Sequence, residues 1–137
     1  VHLVGLASYY FGYHKEAWDE GAAFVAARAG SDDLILFNAT WVQLPFDYYF
    51  RRYGLTIAEH GVPVDLFDRG LEPKMTEADL PRLRALASAH PRVWLVYSHN
   101  WYTDPQGLIP TELARLGTLI EQREFNGLRI EGYQIHR

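Results

Sequence analysis

Two continuous apolar runs, Leu34-Ile35-Leu36-Phe37 and Arg92-Val93-Trp94-Leu95-Val96-Tyr97, constrain the fold of this chain most tightly. Each has the length of a strand and neither alternates. A strand with one wet face alternates apolar and polar side chains, so an unbroken run implies cover on both faces. The segments before and between these runs carry helical patterns instead. Trp18, Ala22, Val25 and Ala29 recur at spacings of four, three and four within 15–29, and Gly30 stands where a helix would take its C′ residue. Pro45 suits a first helical turn. Phe46, Tyr49, Phe50 and Tyr53 follow it at helical spacing, and Gly54 closes the element.

A further strand is expected over Val62-Pro63-Val64-Asp65-Leu66-Phe67. Pro63 has no N–H to give to a ladder, which confines it to the strand start or to a sheet edge. Thr76-Glu77-Ala78-Asp79 reads as a helix-capping sequence with Asp in place of the usual Glu, and Pro81 moves the helix start toward Asp79. Leu80, Leu83, Leu86 and Ala87 supply its buried stripe, and Pro91 blocks its continuation. A last helix opens at Pro110 with Leu113, Leu116, Leu119 and Ile120 inward. Leu128–Ile135 alternates every second residue and reads as an edge strand or one with a wet face.

Helix and strand therefore alternate four times. That order implies an α/β fold of three layers, with a mostly parallel four-stranded sheet and helices on both faces. It amounts to half of a doubly wound, Rossmann-like arrangement. The expected strand order is 2-1-3-4, with the last strand parallel or antiparallel. Residues 15–137 read as a single α/β domain.

The bulk properties narrow the function classes. At 137 residues, 48% hydrophobic and 22% charged, the chain is a globular domain. Its net charge is −4 and its longest basic run is Arg51-Arg52, which argues against nucleic acid as a partner. The absence of cysteine excludes disulfides, thiolate metal sites and cysteine nucleophiles. The chain begins at Val1 rather than Met and reads as part of something longer. Val1–Phe11 is apolar and ends in aromatics, but it falls short of the roughly 20 residues that span a bilayer. It also lacks the basic start and cleavage site of a signal peptide. Residues 1–14 read either as the tail of a membrane helix with its rings at the interface, or as a linker or N-terminal segment packed on the domain.

In open parallel sheets, ligands bind beyond the carboxyl ends of the strands where strand order reverses. That rule brings together the loops Asn38-Ala39-Thr40-Trp41 and Ser98-His99-Asn100-Trp101-Tyr102-Thr103-Asp104, with Asp68 and Arg69 at the margin. The candidate ligand-binding residues are Asn38, Thr40, Trp41, Ser98, His99, Asn100 and Trp101. Amides and hydroxyls flanked by flat rings suit a sugar, a peptide or a lipid head group, although such rings also serve to cap a core.

No catalytic residue is assigned. Ser98 and His99 are chain neighbours and lack the Gly-x-Ser-x-Gly turn that exposes a nucleophile. The six histidines show no metal-ligand spacing. Neither Gly-x-Gly-x-x-Gly nor a phosphate-binding loop is present. Asp32-Asp33 precedes a strand, opposite the expected cleft, and reads as turn-forming and solubilising. No metal and no cofactor is expected.

Several segments, taken in order, resemble a known family. They are Lys15-Glu16-Ala17-Trp18, Asp32-Asp33-Leu34-Ile35-Leu36, Phe46-Asp47-Tyr48-Tyr49, Arg92-Val93-Trp94-Leu95-Val96 and Phe125-Asn126-Gly127-Leu128-Arg129-Ile130. Together they resemble the soluble C-terminal region of bacterial polytopic membrane glycosyltransferases, the family 39 and mannosyltransferase-like proteins. Each segment alone is a packing pattern, and the likeness lies in their order. It implies a parent enzyme that moves a sugar from a polyprenyl-phosphate donor, with this domain on the periplasmic or extracellular side. The family's catalytic carboxylates lie near its first membrane span and have no counterpart here. The resemblance therefore implies a non-catalytic domain that binds acceptor or supports the membrane part of its own chain.

Two other readings stay open. One is a free-standing α/β hydrolase or transferase with its site at the Asn38 and His99 loops. The other is a protein-interaction module presenting Tyr48, Tyr49, Tyr53 and Trp101, which would show as an exposed aromatic patch.

Overall fold

The computed structural model describes residues 17–65 and 74–137. Five strands form one mixed sheet in the order β2-β1-β3-β5-β4. They are β1 (Leu34–Phe37), β2 (Ala58–Gly61), β3 (Arg92–Tyr97), β4 (Gly117–Phe125) and β5 (Leu128–Ile135). β1 runs parallel to both β2 and β3, while β5 runs antiparallel to β3 and β4. The helices are α1 (Trp18–Ala26), α2 (Gln43–Phe50), α3 (Leu80–Ser88), α4 (Asn100–Thr103) and α5 (Leu108–Leu116).

The unbroken apolarity of β1 follows from its place in the middle of three layers. Ile35 and Phe37 point to one face, where they meet Phe24 and Val25 of α1 and Phe46 and Phe50 of α2. Leu34 and Leu36 point to the other, against Leu83 of α3 and Ile109 and Leu113 of α5. β3 repeats this division, with Trp94 and Val96 on the first face and Val93 and Leu95 on the second. Burying each such side chain contributes about 2 kcal/mol. Phe37 meets Phe46 edge to face at 5.3 Å, which fixes α2 over β1.

The expected three layers are present, and three of the four expected strands form where expected; with a second strand displaced to Ala58–Gly61, they lie in the order 2-1-3-4, the last antiparallel. The sheet nevertheless has a fifth strand, so it is not a four-stranded parallel half of a doubly wound fold. The difference arises at Gly117. The last helix was expected to run on through Leu119 and Ile120, but it ends at Leu116. Gly117 is extended and packs so closely on Gln134 that a Cβ there would meet the Gln134 carbonyl carbon at 2.9 Å. Leu119 and Ile120 then stand 44% exposed on β4. The Asn126-Gly127 turn, with Gly127 at φ 85°, returns the chain as β5. β5 is thus an interior strand and not an edge. Its alternation survives because Glu131 is buried against Arg129 (2.8 Å) and the Tyr133 hydroxyl (2.6 Å).

Two boundaries also shift. α1 stops at Ala26, before Gly30, whose N–H donates to Asp33 Oδ2 at 2.8 Å in the following turn. β2 lies at Ala58–Gly61, ahead of the expected segment. Val62-Pro63, a cis peptide, follows the strand, and Pro63 stays outside the ladder for want of an N–H. Residues 66–67 of that expected strand, the 1–14 tail, and Asp68 and Arg69 lie outside the described residues. The α3 cap forms as read: Thr76 N–H and Oγ1 reach Asp79 Oδ2 at 2.8 and 2.9 Å, and Pro81 sits in the first turn.

Candidate functional site

β1 and β3 are neighbours, so the two polar loops that leave their carboxyl ends meet. Asn38 is 1% exposed, and its amide lies between them. Asn38 Nδ2 donates to Ser98 O at 2.6 Å and to Thr103 Oγ1 at 2.8 Å, while Oδ1 accepts from Ser98 N at 2.8 Å. Both amide hydrogens are spent inside the fold. Ser98 Oγ donates to Gly127 O at 2.7 Å, which ties the same loop to the β4–β5 turn. Thr40 is buried, with its methyl against Gly61, where a Cβ would collide with it.

Asp104 is committed in the same way. It is buried, accepts from the Tyr97 hydroxyl at 2.8 Å, and caps α5 by accepting from Leu108 N and Ile109 N at 2.8 and 3.0 Å. Burial first, then the bond to Asp104 and its charge, push the Tyr97 hydroxyl well above the usual phenol range. It therefore stays a donor at any ordinary pH.

The rings face outward. Trp41 is 42% exposed and lies on the His99 ring at 4.8 Å between centroids. His99 adopts a left-handed conformation, φ 53°, that starts the short helix α4. That turn projects Trp101, 73% exposed, with Tyr102 at 5.9 Å. Asn100 is exposed beside them. All seven sequence-expected residues thus gather at one end of the sheet, but in two groups: Asn38, Thr40 and Ser98 inward, and Trp41, His99, Asn100 and Trp101 toward the surface.

Ser98, His99 and Asn100 also border a cleft of about 190 Å³ whose far wall is the β4–β5 hairpin, including Glu124 and Arg129. Sequence reasoning missed those two residues because it read β4 as helix. Asn126-Gly127 between two apolar-containing runs was the available signal.

A second groove, of about 440 Å³, opens between α2 and β2 and is lined by Leu44, Asp47, Tyr48, Phe50, Arg51, Leu55 and Glu59. Gln43 Nε2 donates to Glu59 Oε1 at 3.0 Å. Burial, and then the hydrogen bond and charge of Asp47, push the Glu59 carboxyl up to about 8, against the opposing pull of Gln43. Glu59 therefore keeps its proton at neutral pH. Gln43 and Asp47 are one helical turn apart, but Glu59 lay in a segment that showed no strand pattern.

Among the described residues, no three His, Asp or Glu side chains come together to hold a metal ion. None of their helices is long and apolar enough to cross a membrane. Compared with known proteins, the chain matches no family model, no curated protein and no solved structure.

Proposed function

We propose that this chain is a non-catalytic domain of a membrane glycosyltransferase that transfers a sugar from a polyprenyl-phosphate donor. In this reading the domain lies on the periplasmic or extracellular side, attached to the membrane part of its own parent chain, and binds acceptor or supports that part. The observation that carries the reading is the inward turn of the polar groups at the strand ends. Asn38, Ser98, Thr103 and Asp104 are bonded within the fold, while Trp41 and Trp101 face out. Acids, bases and nucleophiles must reach substrate to act, whereas flat rings bind a sugar face by contact alone. The resemblance of the ordered packing segments supplies the enzyme class.

The test is sugar transfer from a polyprenyl-phosphate sugar, measured for the 137-residue chain and for the whole protein that carries it. The isolated chain is expected to transfer nothing. The whole protein is expected to transfer, and to lose acceptor affinity or activity when residues 15–137 are removed or when Trp101→Ala is introduced. Transfer by the isolated chain, or full activity without residues 15–137, would overturn the reading.

A further inference from the structure

The stretch from Trp41 to Leu55 packs one side of α2 into the core and leaves the other unusually apolar. Among the described residues, five of the nine large hydrophobic residues that stand exposed fall within it: Trp41 42%, Leu44 56%, Tyr48 51%, Tyr53 47% and Leu55 42%. An ordinary solvent-facing helix carries charged and polar residues on that side. Here Leu44, Tyr48, Arg51 and Leu55 border one groove, and Trp41 precedes Leu44 by a helical step. Arg51 and Arg52 lie over the Tyr48 ring at 5.0 and 5.6 Å, so both guanidinium groups share this face with the rings. Of the acidic groups nearby, Asp47 of α2 and Glu59 of β2, Glu59 is pushed up to about 8 by burial and by Asp47. Glu59 thus adds little negative charge opposite the arginines at neutral pH.

We propose that the outer face of α2, with Trp41, Leu44, Tyr48 and Leu55 flanked by Arg51 and Arg52, docks on the interfacial zone of an anionic lipid bilayer. Indole and phenol rings with one apolar and one polar end settle at head-group depth, where leucines reach the acyl boundary. The two arginines, mounted beside Tyr48, meet lipid phosphates and reward negative head groups over neutral ones. A partner protein would take the same apolar side chains, but the pairing of rings with two arginines favours a phosphate-bearing surface.

The proposal stands on this face alone and does not require the glycosyltransferase reading. A chain that ignores lipid leaves the sugar-transfer experiment untouched, and a failed transfer experiment leaves the face.

The test is binding of the 137-residue chain to phosphatidylcholine vesicles with and without phosphatidylglycerol, read by co-sedimentation and by the blue shift of tryptophan emission. Binding is expected only with phosphatidylglycerol, and it is expected to weaken with salt. Each of Arg51→Ala and Arg52→Ala should weaken it about fivefold, and Trp41→Ser with Tyr48→Ser should abolish the emission shift. Circular dichroism checks that these surface variants fold. Leu119→Ser with Ile120→Ser, on the distant β4, should leave binding unchanged. Failure of the wild-type chain to bind anionic vesicles overturns the proposal. So does equal binding by the α2-face variants, or a self-association by sedimentation that Trp41→Ser abolishes without affecting vesicles.

Discussion

Asn38 and Ser98 are joined twice, Asn38 Oδ1 accepting the Ser98 N–H at 2.8 Å and Asn38 Nδ2 donating to the Ser98 carbonyl at 2.6 Å. A side-chain amide here does what a neighbouring backbone would do in a ladder. It extends the β1–β3 pairing by one residue and holds two loops at a fixed separation. The remaining amide hydrogen goes to Thr103, at the end of α4.

Asn38→Ala removes all three bonds and leaves a buried N–H and carbonyl of Ser98 without a partner. Such orphaned groups cost far more than the net worth of the bonds, so a loss of about 3 kcal/mol is expected in urea unfolding. Asn38→Asp retains the acceptor for Ser98 N but sets a carboxylate oxygen against the Ser98 carbonyl, and it should be no better than alanine. Wild-type stability in both variants, with a loss only of ligand affinity, would return Asn38 to the binding surface.

Asp33 is the counterpart at the opposite end of β1. It is 2% exposed and sits between Arg92 Nη2 at 3.0 Å, Trp94 Nε1 at 3.0 Å and Gly30 N at 2.8 Å. It thereby connects the turn after α1 to β3. Asp33→Ala strands the indole N–H and the guanidinium together. Arg92 keeps about a third of its side chain in water, which lowers the cost below that of a sealed pair, and about 3 kcal/mol is expected. Asp33→Asn keeps an acceptor for the indole and should lose about half as much. Equal stability of Asp33→Asn and wild type would show that the charge contributes nothing beyond the hydrogen bonds.

These two residues mark what a single sequence can convey. β1 and β3 are legible because their packing demand is met within each strand, and every position is apolar since both faces are covered. The Thr76 cap is legible because all its partners lie within four positions. Asp33 beside Asp32 reads as an exposed turn, since the groups that bury it stand about sixty positions later in the chain. β4 was lost because Leu113, Leu116, Leu119 and Ile120 keep helical spacing straight across Gly117. The helix ends there all the same, and Gly117 is extended against Gln134. For the candidate site, adjacency of the two loops followed from strand order. Which side chains turn inward depended on hydrogen bonds that no local pattern encodes.

Gly132 tests the packing that made β5 interior. It pairs with Trp94 across the β3–β5 ladder, and a Cβ at this position would stand 2.5 Å from Cζ3 of the fully buried Trp94 ring. The indole is tied to Asp33 by its N–H and faces Phe24 edge-on at 6.4 Å, so it has little room to yield. Gly132→Ala should cost about 2 kcal/mol through overpacking and should perturb the emission of the buried tryptophan. Gly54→Ala is a useful contrast. Its φ is 65° but nothing lies near its added Cβ, so it should lose only about 1 kcal/mol of backbone strain, with no change in emission. Equal emission spectra for Gly132→Ala and wild type would mean that β5 can move away from Trp94.

The Asp47–Glu59 pair predicts an unusual dependence of stability on pH. The folded chain holds the Glu59 proton up to about pH 8, against an ordinary value of 4.5 in the unfolded chain. Between those values the folded state binds more protons than the unfolded state, so stability falls as pH rises. Below the window both states are protonated, and above it both are ionised, so the contribution is flat at either end. The limiting slope for one such group is about 1.4 kcal/mol per pH unit. Glu59 is only half-buried, solvent screens part of the shift, and a total loss on the order of 2 kcal/mol is expected across the window. Glu59→Gln keeps an acceptor for the Gln43 amide and places a neutral donor against Asp47, so it should remove this part of the pH dependence. Urea unfolding of both proteins near the two ends of the window and between them gives the difference directly. Glu59→Gln should gain on wild type as pH rises, and parallel profiles for the two proteins would show that folding does not raise the Glu59 carboxyl.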